Sequence, residues 1–276
     1  MKNNKDKTKI IIIFIIIFIL LFTIYTFLLL YIINLQDIKV QKFLGKIHNN
    51  KKMLINKYPK IINDNIVIKK ENNILIIENF LNKDYFLFLQ SQFDNKKFDS
   101  KNFLFRKATG FDFYKLHEDD SYMGFLELYY SNEMLNKISD IIKKPVQRTP
   151  LNDTNACSLL IYANKGDHID WHIDYSNYYG DRYVVLLTVL NENNNKSGLS
   201  QNEFQYVYND KIYKLKMKPN TLVIFKGSEI MHKSTSIGEN ERRILLSMLY
   251  CDICQEKKHM FNIVNEKIKN FVLYQK

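Results

Sequence analysis

The chain has 276 residues, of which 46% are hydrophobic and 14% aromatic, so it carries enough apolar surface to bury the core of one sizeable domain. Its formal net charge is +11, but the lysines are scattered among Asn and Ile, without a dense basic block after residue 10. That distribution indicates a solvated basic surface and argues against a nucleic-acid-binding face. Glycine is scarce, at eight residues, and no P-loop, GxGxxG or GxSxG motif is present, which argues against a phosphate-cradling loop.

The N-terminus predicts a single membrane span. Residues 1–9 form a short basic tail, and residues 10–35 are predicted to be a transmembrane signal anchor, because the uncharged run Ile10 to Ile33 is long enough to cross a bilayer core of about 30 Å. A cleaved signal peptide is the alternative, but its apolar region is about 7–15 residues long and ends at a small-residue site that is missing here. Lysines precede the span at positions 2, 5, 7 and 9 and follow it at positions 39, 42 and 46. The positive-inside rule therefore leans only weakly toward a cytoplasmic N-terminus and a lumenal domain.

Residues 36–70 are predicted to be a stalk, and residues 71–276 the folded domain. The domain opens with the apolar run Ile74 to Ile77 and a helix-like segment that reaches Phe93, followed by an aromatic, irregular stretch over 95–125. A helix is predicted over Ser131 to Lys144, because a capping signal at Ser131 precedes apolar residues at helical spacing. The stretch 259–274 is predicted to be a closing amphipathic helix.

After Pro150 the pattern becomes that of short strands separated by turns that contain Asn, Gly or Asp. The predicted strands are Ser158 to Ala163, His168 to Asp174, Tyr183 to Leu190, Phe204 to Tyr208, Lys211 to Met217, Thr221 to Phe225 and Ile244 to Tyr250. Seven short strands at this spacing indicate a β-sandwich or barrel.

The strand "GDHIDWHID", Gly166 to Asp174, carries the most unusual pattern. Because side chains alternate along a strand, His168, Asp170, His172 and Asp174 are expected to share one face. Four ionisable groups are costly on a dry face, so the face is either solvated or lines a cavity that holds a metal ion.

His-x-Asp on a strand places an imidazole and a carboxylate side by side, and a later histidine completes a two-His, one-carboxylate set that suits non-haem Fe(II). His232, just after the run Thr221 to Phe225, is that candidate. Arg242 and Arg243 enter the last strand, and an arginine is well matched to an acidic co-substrate.

From Ile74 to its C-terminus, about three quarters of its length, the chain resembles the 2-oxoglutarate/Fe(II)-dependent dioxygenase superfamily, and within it the prolyl 4-hydroxylase-type domain. The motifs that carry the resemblance, in order, are "ILIIENFLNKD", "YANKGDHIDWHID", "DRYVVLLTVLNENN", "KPNTLVIFKGSEIMHKSTS" and "GENERRILLSMLY". The resemblance implies a mainly β (α+β) fold with a double-stranded β-helix (jelly-roll or cupin-like) core and flanking helices. It also implies Fe(II), 2-oxoglutarate and O2, with ascorbate as an expected reductant.

The resemblance also assigns residues. It implies a catalytic metal triad of His172, Asp174 and His232, and it leaves His168 and Asp170 as groups at the rim of the site or as groups that orient the ligands. It favours Arg243 over Arg242 for the distal carboxylate of 2-oxoglutarate. The remaining implied co-substrate contacts are Tyr162 and, more weakly, Thr188. Retention of the triad carboxylate favours hydroxylation over halogenation.

The sequence departs from the family pattern in two turns. Asn202 stands where the family has Thr, and Asn220 or Thr221 stands where it has Gly, which leaves the substrate class open. The leading hypothesis is a membrane-anchored hydroxylase acting on a peptide, most simply a prolyl side chain. The alternatives are a hydroxylase of a lipid or other small molecule, a nucleic-acid demethylase and a non-enzymatic binding domain of the same fold. Of these, the demethylase is disfavoured because no nucleic-acid partner is expected.

Three cysteines and two sequons leave the compartment open. Cys251-x-x-Cys254 is interpreted as free or locally paired thiols at a strand end, with half of a zinc site and a redox pair as the alternatives. The sequons at Asn152 and Asn195 are compatible with a lumenal domain.

Overall fold

The computed structural model describes residues 11–28, 30–31, 34, 44–46, 48–49, 60–94, 96–103, 105–151 and 153–257. The predicted closing helix at 259–274 and the sequon at Asn152 lie outside these residues. The chain divides into two units, one made of Met1–Lys42 with Lys258–Lys276 and the other of Phe43–Lys257.

The first unit contains the helix α1 (Ile11–Leu28), whose mean hydropathy is 3.1. Its 18 residues give a length of about 27 Å, close to the thickness of a bilayer core. Its apolar side chains are exposed to solvent. By length and composition the helix is able to cross a membrane, and a signal sequence has the same properties.

The second unit is a β-rich domain with helices in its first half. Its helices are α2 (Lys83–Ser91), α3 (Phe113–Glu118), α4 (Met123–Tyr130) and α5 (Asn132–Ile142), with a 3-10 turn at Asp120–Tyr122. Its strands are β1 (Val67–Glu71), β2 (Ile74–Glu78), β3 (Lys101–Phe103), β4 (Arg106–Phe111), β5 (Gln147–Arg148), β6 (Cys157–Tyr162), β7 (His168–His172), β8 (Arg182–Glu192), β9 (Phe204–Tyr208), β10 (Lys211–Leu215), β11 (Leu222–Lys226), β12 (His232–Ser234) and β13 (Arg242–Cys251). All seven predicted strands are present, with ends within two residues of those expected.

Strands β6 to β13 form two four-stranded antiparallel sheets. The major sheet has the order β11-β8-β13-β6, and β2 and β1 extend its β11 edge. The minor sheet has the order β7-β12-β9-β10. Strand β4 joins the two, because residues Thr109–Phe111 pair with β6 and Arg106–Lys107 pair with β7. Eight antiparallel strands distributed in this way over two facing sheets form the predicted double-stranded β-helix.

The core lies between the sheets and follows from the two-residue period of the strands. Alternate residues of β8, β9, β11 and β13 point inward, and the largest buried members are Val184, Leu186, Phe204, Tyr206, Val223, Phe225, Leu245 and Leu249. Burying each such side chain contributes roughly 1.5–3 kcal/mol. The outward residues of β8 are buried as well, and Gln90 on α2 donates a hydrogen bond to Val189 O, so helices cover the back of the major sheet. Burial on both faces explains the continuous apolar run of this strand.

The helical part differs from the expectation in one region. Helix α5 begins after Ser131, whose side chain accepts a hydrogen bond from Met134 N, as the capping signal predicts. The stretch 95–125 is not irregular, however, because it contains β3, β4, α3 and the start of α4. Helix α4 is buried on nearly every side, so it lacks the apolar stripe by which a surface helix is recognised.

The folded domain also begins earlier than residue 71. Ile61 and Ile62 are buried, and both of their backbone N–H groups donate to the carboxylate of Glu133 on α5. Strand β1 then pairs with β2 along its whole length. The last ten residues of the predicted stalk are therefore part of the domain.

Candidate active site

A β-bulge in β7 decides which side chains face the interior. On the partner strand, His232 lies opposite His172 and Ser234 lies opposite Ile169, so two steps on β12 match three on β7. Directly opposed residues share a face, and the extra residue therefore brings His172 onto the inward face with Ile169. The expectation that His168 and Asp170 share the face of His172 is wrong for this reason.

The displaced residues occupy the outside of the minor sheet. His168 lies opposite Lys107 on β4. The Asp170 side chain is exposed and accepts a hydrogen bond from its neighbour, Trp171 N. The ammonium group of Lys233 lies over the ring of Trp171, with its Nζ atom 4.8 Å from the centre of that ring.

The inward face brings His172, Asp174 and His232 together. One ligand atom from each lies within 4.8 Å of the other two. His172 Nε2 is 3.6 Å from Asp174 Oδ1, and His232 Nε2 is 3.8 Å from Asp174 Oδ2. Two imidazoles and one carboxylate this close together are a ligand set that suits a divalent transition metal.

Backbone carbonyls set the orientation of both imidazoles. His172 Nδ1 is 2.7 Å from Asp170 O, and His232 Nδ1 is 2.9 Å from Ile230 O. A carbonyl only accepts, so each Nδ1 carries the proton and each Nε2 presents its lone pair toward the carboxylate. Asp170 thus supports the triad through its backbone and not through its side chain.

The triad is shielded from solvent on the side of His232 and exposed to solvent on the side of His172. His232 is packed against the rings of Phe204 and Phe225, and its side chain is 7% exposed. His172 and Asp174 are 22% and 26% exposed, and Phe105 stacks on the His172 ring. A metal ion held here would be reachable from the His172 side.

Gly227 supports the carboxylate of the triad from behind. Its carbonyl accepts a hydrogen bond from Asp174 N at 3.0 Å. A Cβ at this position would lie 2.7 Å from Asp174 Cβ and 2.8 Å from Val184 Cγ2. Only glycine leaves room for the carboxylate as it stands.

Arg243 is a buried cation in the barrel interior. It is 1% exposed, and its Nη1 donates to Asn202 Oδ1 and to Ser234 Oγ, each at 2.7 Å. Burial lowers its pKa to about 10, so it is still a cation at neutral pH. No acidic residue of the described chain pairs with it, and its Nε has no hydrogen-bond partner there. A buried, unneutralised guanidinium is costly, and an incoming carboxylate would remove that cost.

The guanidinium of Arg243 lies beside a residue that is two positions along β12 from His232 of the triad. Its partner Ser234 follows His232 by two residues on β12, which is about 6–7 Å along the strand. Two further predicted residues border this space. Tyr162 lies directly opposite Arg243, its ring 5.7 Å from the guanidinium carbon, and Thr188 is fully buried with an unpartnered hydroxyl among the described residues. Burial raises the pKa of Tyr162, an effect that Arg243 and the Ser234 hydroxyl oppose, so the phenol keeps its proton.

Arg242 points the other way. Its guanidinium donates to Phe93 O at 3.1 Å and lies 3.8 Å from the carboxylate of Glu192. Because neighbouring residues of a strand face opposite sides, only one of the two arginines is able to enter the barrel. The structure places Arg243 inside and Arg242 outside.

Three residues near these groups were not predicted as functional. Gly227 and Asn202 contact the triad and Arg243 directly. Arg182, at the start of β8, is 7% exposed, and its Nε lacks a partner in the described part of the chain. The close packing at Gly227 and the burial of Asn202 could not be recognised from residue types. Arg182, in contrast, was detectable as a charged residue at the start of an apolar strand.

The cysteine pair is a disulfide. Cys251 and Cys254 are bonded at the end of β13, with their Cα atoms 5.3 Å apart, and Cys157 is free and buried. The structure therefore bears out local pairing of the two cysteines, which is also the oxidised form of the redox-pair alternative.

Comparison with known proteins gives matches to solved structures. No family model and no curated protein sequence matches the chain. The non-heme alpha ketoglutarate dependent epimerase SnoN from nogalamycin biosynthesis aligns with a TM-score of 0.50 at 9% identity, over 66% of this chain and 77% of that one.

Two prolyl hydroxylases align less closely. One, from Trichoplax adhaerens in complex with a hypoxia inducible factor peptide fragment, has a TM-score of 0.46 at 14% identity, over 76% of this chain and 93% of that one. The other, a Pseudomonas putida prolyl-4-hydroxylase, has a TM-score of 0.43 at 13% identity, over 65% of this chain and 92% of that one.

The strand order and the alignment with SnoN agree with the motifs in the sequence. The chain therefore has the double-stranded β-helix fold of the 2-oxoglutarate/Fe(II)-dependent dioxygenases, and it brings together the His-Asp-His triad that this resemblance implies.

Proposed function

We propose that this chain is a membrane-anchored Fe(II)/2-oxoglutarate-dependent dioxygenase that hydroxylates a peptide, with a prolyl side chain as the first substrate to test. The observation that carries the proposal is the pairing of a convergent His-Asp-His triad with a buried, unneutralised arginine one strand repeat away. The net reaction converts 2-oxoglutarate, O2 and a C–H bond into succinate, CO2 and C–OH.

His172, Asp174 and His232 would hold the iron. Nitrogen and carboxylate donors suit Fe(II), and three protein ligands on one side leave positions for 2-oxoglutarate and O2. Iron supplies the activation of O2 that the side chains themselves lack. The chain holds the Nε2 atoms of both histidines 3.6 and 3.8 Å from the Asp174 carboxylate and leaves the His172 side accessible.

Arg243 would bind the distal carboxylate of 2-oxoglutarate. A five-carbon dicarboxylate has the length to join a metal at His232 to a guanidinium beside Ser234. Tyr162 would donate its phenolic proton to the same carboxylate, and Thr188 has a hydroxyl to offer. Ascorbate is proposed as the reductant that keeps the iron ferrous between turnovers.

The open side of the triad would receive the substrate. Ile173 and Tyr175 flank Asp174 and are exposed, and Phe105 stacks on His172. Exposed apolar side chains beside a metal site suit an uncharged ring better than a charged headgroup. The choice of a prolyl ring within that class rests on the motif resemblance.

The N-terminal helix and the disulfide support the proposed location. Helix α1 has the length and hydropathy of a membrane anchor. A structural disulfide persists in an oxidising compartment, which favours a lumenal domain, as the lysine distribution does.

Succinate formation from 2-oxoglutarate tests the activity. The full-length chain in detergent, with Fe(II), ascorbate and no added substrate, is expected to turn over slowly. His172→Ala and Arg243→Ala should each abolish turnover, whereas Arg242→Ala should retain it because that side chain lies outside the barrel. Turnover that survives Arg243→Ala but not Arg242→Ala would contradict the assignment of the inward arginine. A wild-type chain that binds neither metal nor 2-oxoglutarate would refute the enzymatic proposal and favour a binding domain.

A further inference from the structure

One buried amide, Asn202, touches the guanidinium that the proposed function requires. Asn202 lies just before β9 and is 1% exposed. Its Oδ1 accepts hydrogen bonds from Arg243 Nη1 at 2.7 Å and from the Ser234 hydroxyl at 3.2 Å. Its Nδ2 donates to the backbone oxygen of Thr235. Ser234 and Thr235 therefore hold the side chain of Asn202 in place, and Asn202 in turn holds the guanidinium of Arg243.

The contacts of Arg243 divide its guanidinium into two unlike edges. Nη1 is held by Asn202 and Ser234. On the opposite edge, Nη2 has the sulfur of Met217 at 3.1 Å, and Nε has no partner among the described residues. The N–H bonds of Nε and Nη2 run parallel, which matches the two oxygens of one carboxylate. A thioether is a weak acceptor, so a carboxylate would displace it readily.

A neutral amide suits this position better than a carboxylate would. Asn202 supplies an acceptor that stabilises the buried cation without cancelling its charge. An acidic residue in the same place would form a buried ion pair and leave no net charge to attract a co-substrate. The full positive charge of Arg243 thus remains available on its Nε–Nη2 edge.

We propose that Asn202 is a positioning residue that holds Arg243 by Nη1, so that the Nε–Nη2 edge receives the distal carboxylate of 2-oxoglutarate. This inference rests on the proposed function. It concerns the ratio of the affinities for 2-oxoglutarate and for an oxo acid without the distal carboxylate. That ratio is measured separately from turnover and from metal binding.

The test compares two ligands that differ only in the distal carboxylate. The full-length chain is loaded with Mn(II) in place of iron, and isothermal titration calorimetry measures the affinities of 2-oxoglutarate and 2-oxopentanoate. Asn202→Ala should lower the preference for 2-oxoglutarate about tenfold, because a hydrogen bond to a charged group that aligns the arginine is lost. The isosteric Asn202→Asp should lower it about a hundredfold, because its carboxylate competes for the same guanidinium. The affinities for 2-oxopentanoate and Mn(II) should stay within about twofold, since neither ligand uses this edge.

The outcomes separate the inference from the proposed function. A wild-type chain without any preference for 2-oxoglutarate would refute the role of Arg243 and with it this inference. A wild-type preference that both variants retain would overturn the inference alone. An equal loss of affinity for both oxo acids would also overturn it, because it would assign Asn202 a purely structural role. Asn202→Asp preserves shape, so it keeps the test valid if Asn202→Ala fails to fold.

Discussion

Gly227→Ala is the smallest change expected to disturb the candidate metal site. The added Cβ would lie 2.7 Å from Asp174 Cβ and 2.8 Å from Val184 Cγ2, whereas ordinary contacts begin at 3.4 Å. The neighbours must therefore move by about 0.7 Å, the difference between these distances. Val184 belongs to the core between the sheets, so Asp174 is the residue that yields. A ligand displaced by about 1 Å costs on the order of a hundredfold in function, and overpacking costs about 1–3 kcal/mol of stability.

The assay is a titration of the full-length chain with Mn(II), followed by calorimetry, with far-UV circular dichroism to confirm that the variant folds. Gly227→Ala should weaken Mn(II) binding about 10–100-fold, the range expected when the support of a metal ligand is lost. Gly198→Ala is the matched control, because its added Cβ meets only the movable end of Asn193, with Nδ2 at 3.1 Å. Wild-type Mn(II) affinity in Gly227→Ala, or an equal loss in Gly198→Ala, would refute this steric reasoning.

Three further predictions concern other parts of the chain. Burial lowers the pKa of His117 from 6.5 to about 3, so the unfolded state binds the extra proton between these values, and the free energy of unfolding should fall below about pH 6 by about 1.4 kcal/mol per pH unit. Urea unfolding at about pH 5.5 and about pH 4.5 should show this slope, and an equally steep slope in His117→Phe would contradict it. A lumenal domain should be glycosylated at Asn195, which is exposed, so translation with microsomes should give a heavier product whose mass Asn195→Gln lowers by one glycan; a product of unchanged mass would argue against this orientation. Tyr162→Phe should raise the KM for 2-oxoglutarate about 3–10-fold with little change in kcat, since one neutral hydrogen bond is lost, and a loss confined to kcat would exclude the proposed contact.

The positions of the strands were predictable because apolar residues recur with a two-residue period, and turn residues separate the runs. Strands β8, β11 and β13 were expected within two residues of their observed ends. The inward position of Arg243 follows from the same alternation, once a single residue of β13 is placed in the core.

Side-chain direction in β7 was not predictable, because a bulge leaves no mark in residue types. The sequence reads as an unbroken alternation from His168 to Asp174, yet the pairing with β12 inserts one extra residue before His172. Strand β12 itself has three residues and was missed as a strand, although its metal-binding candidate was identified. The three predicted ligands thus lie together in the structure, although the geometry of the strand that carries His172 was misjudged.

The support of the site was invisible to sequence reasoning for a different reason. Asn202 was noted only as a departure from the family pattern, because a buried amide and a surface amide have the same letter. The role of Gly227 depends on a close approach between two loops, and Asp174 is far from it in the chain. Such contacts are fixed by tertiary structure alone.

The two ends of the proposed co-substrate site belong to different sheets, and this has a consequence for specificity. His172 and His232 lie on strands of the minor sheet, whereas Arg243 lies on β13 of the major sheet. The Arg243 side chain therefore spans the space between the sheets to reach Ser234 on β12, and the apolar residues around it determine whether it reaches that far. A change in core thickness would alter the length of the dicarboxylate that fits, without touching any residue that binds it.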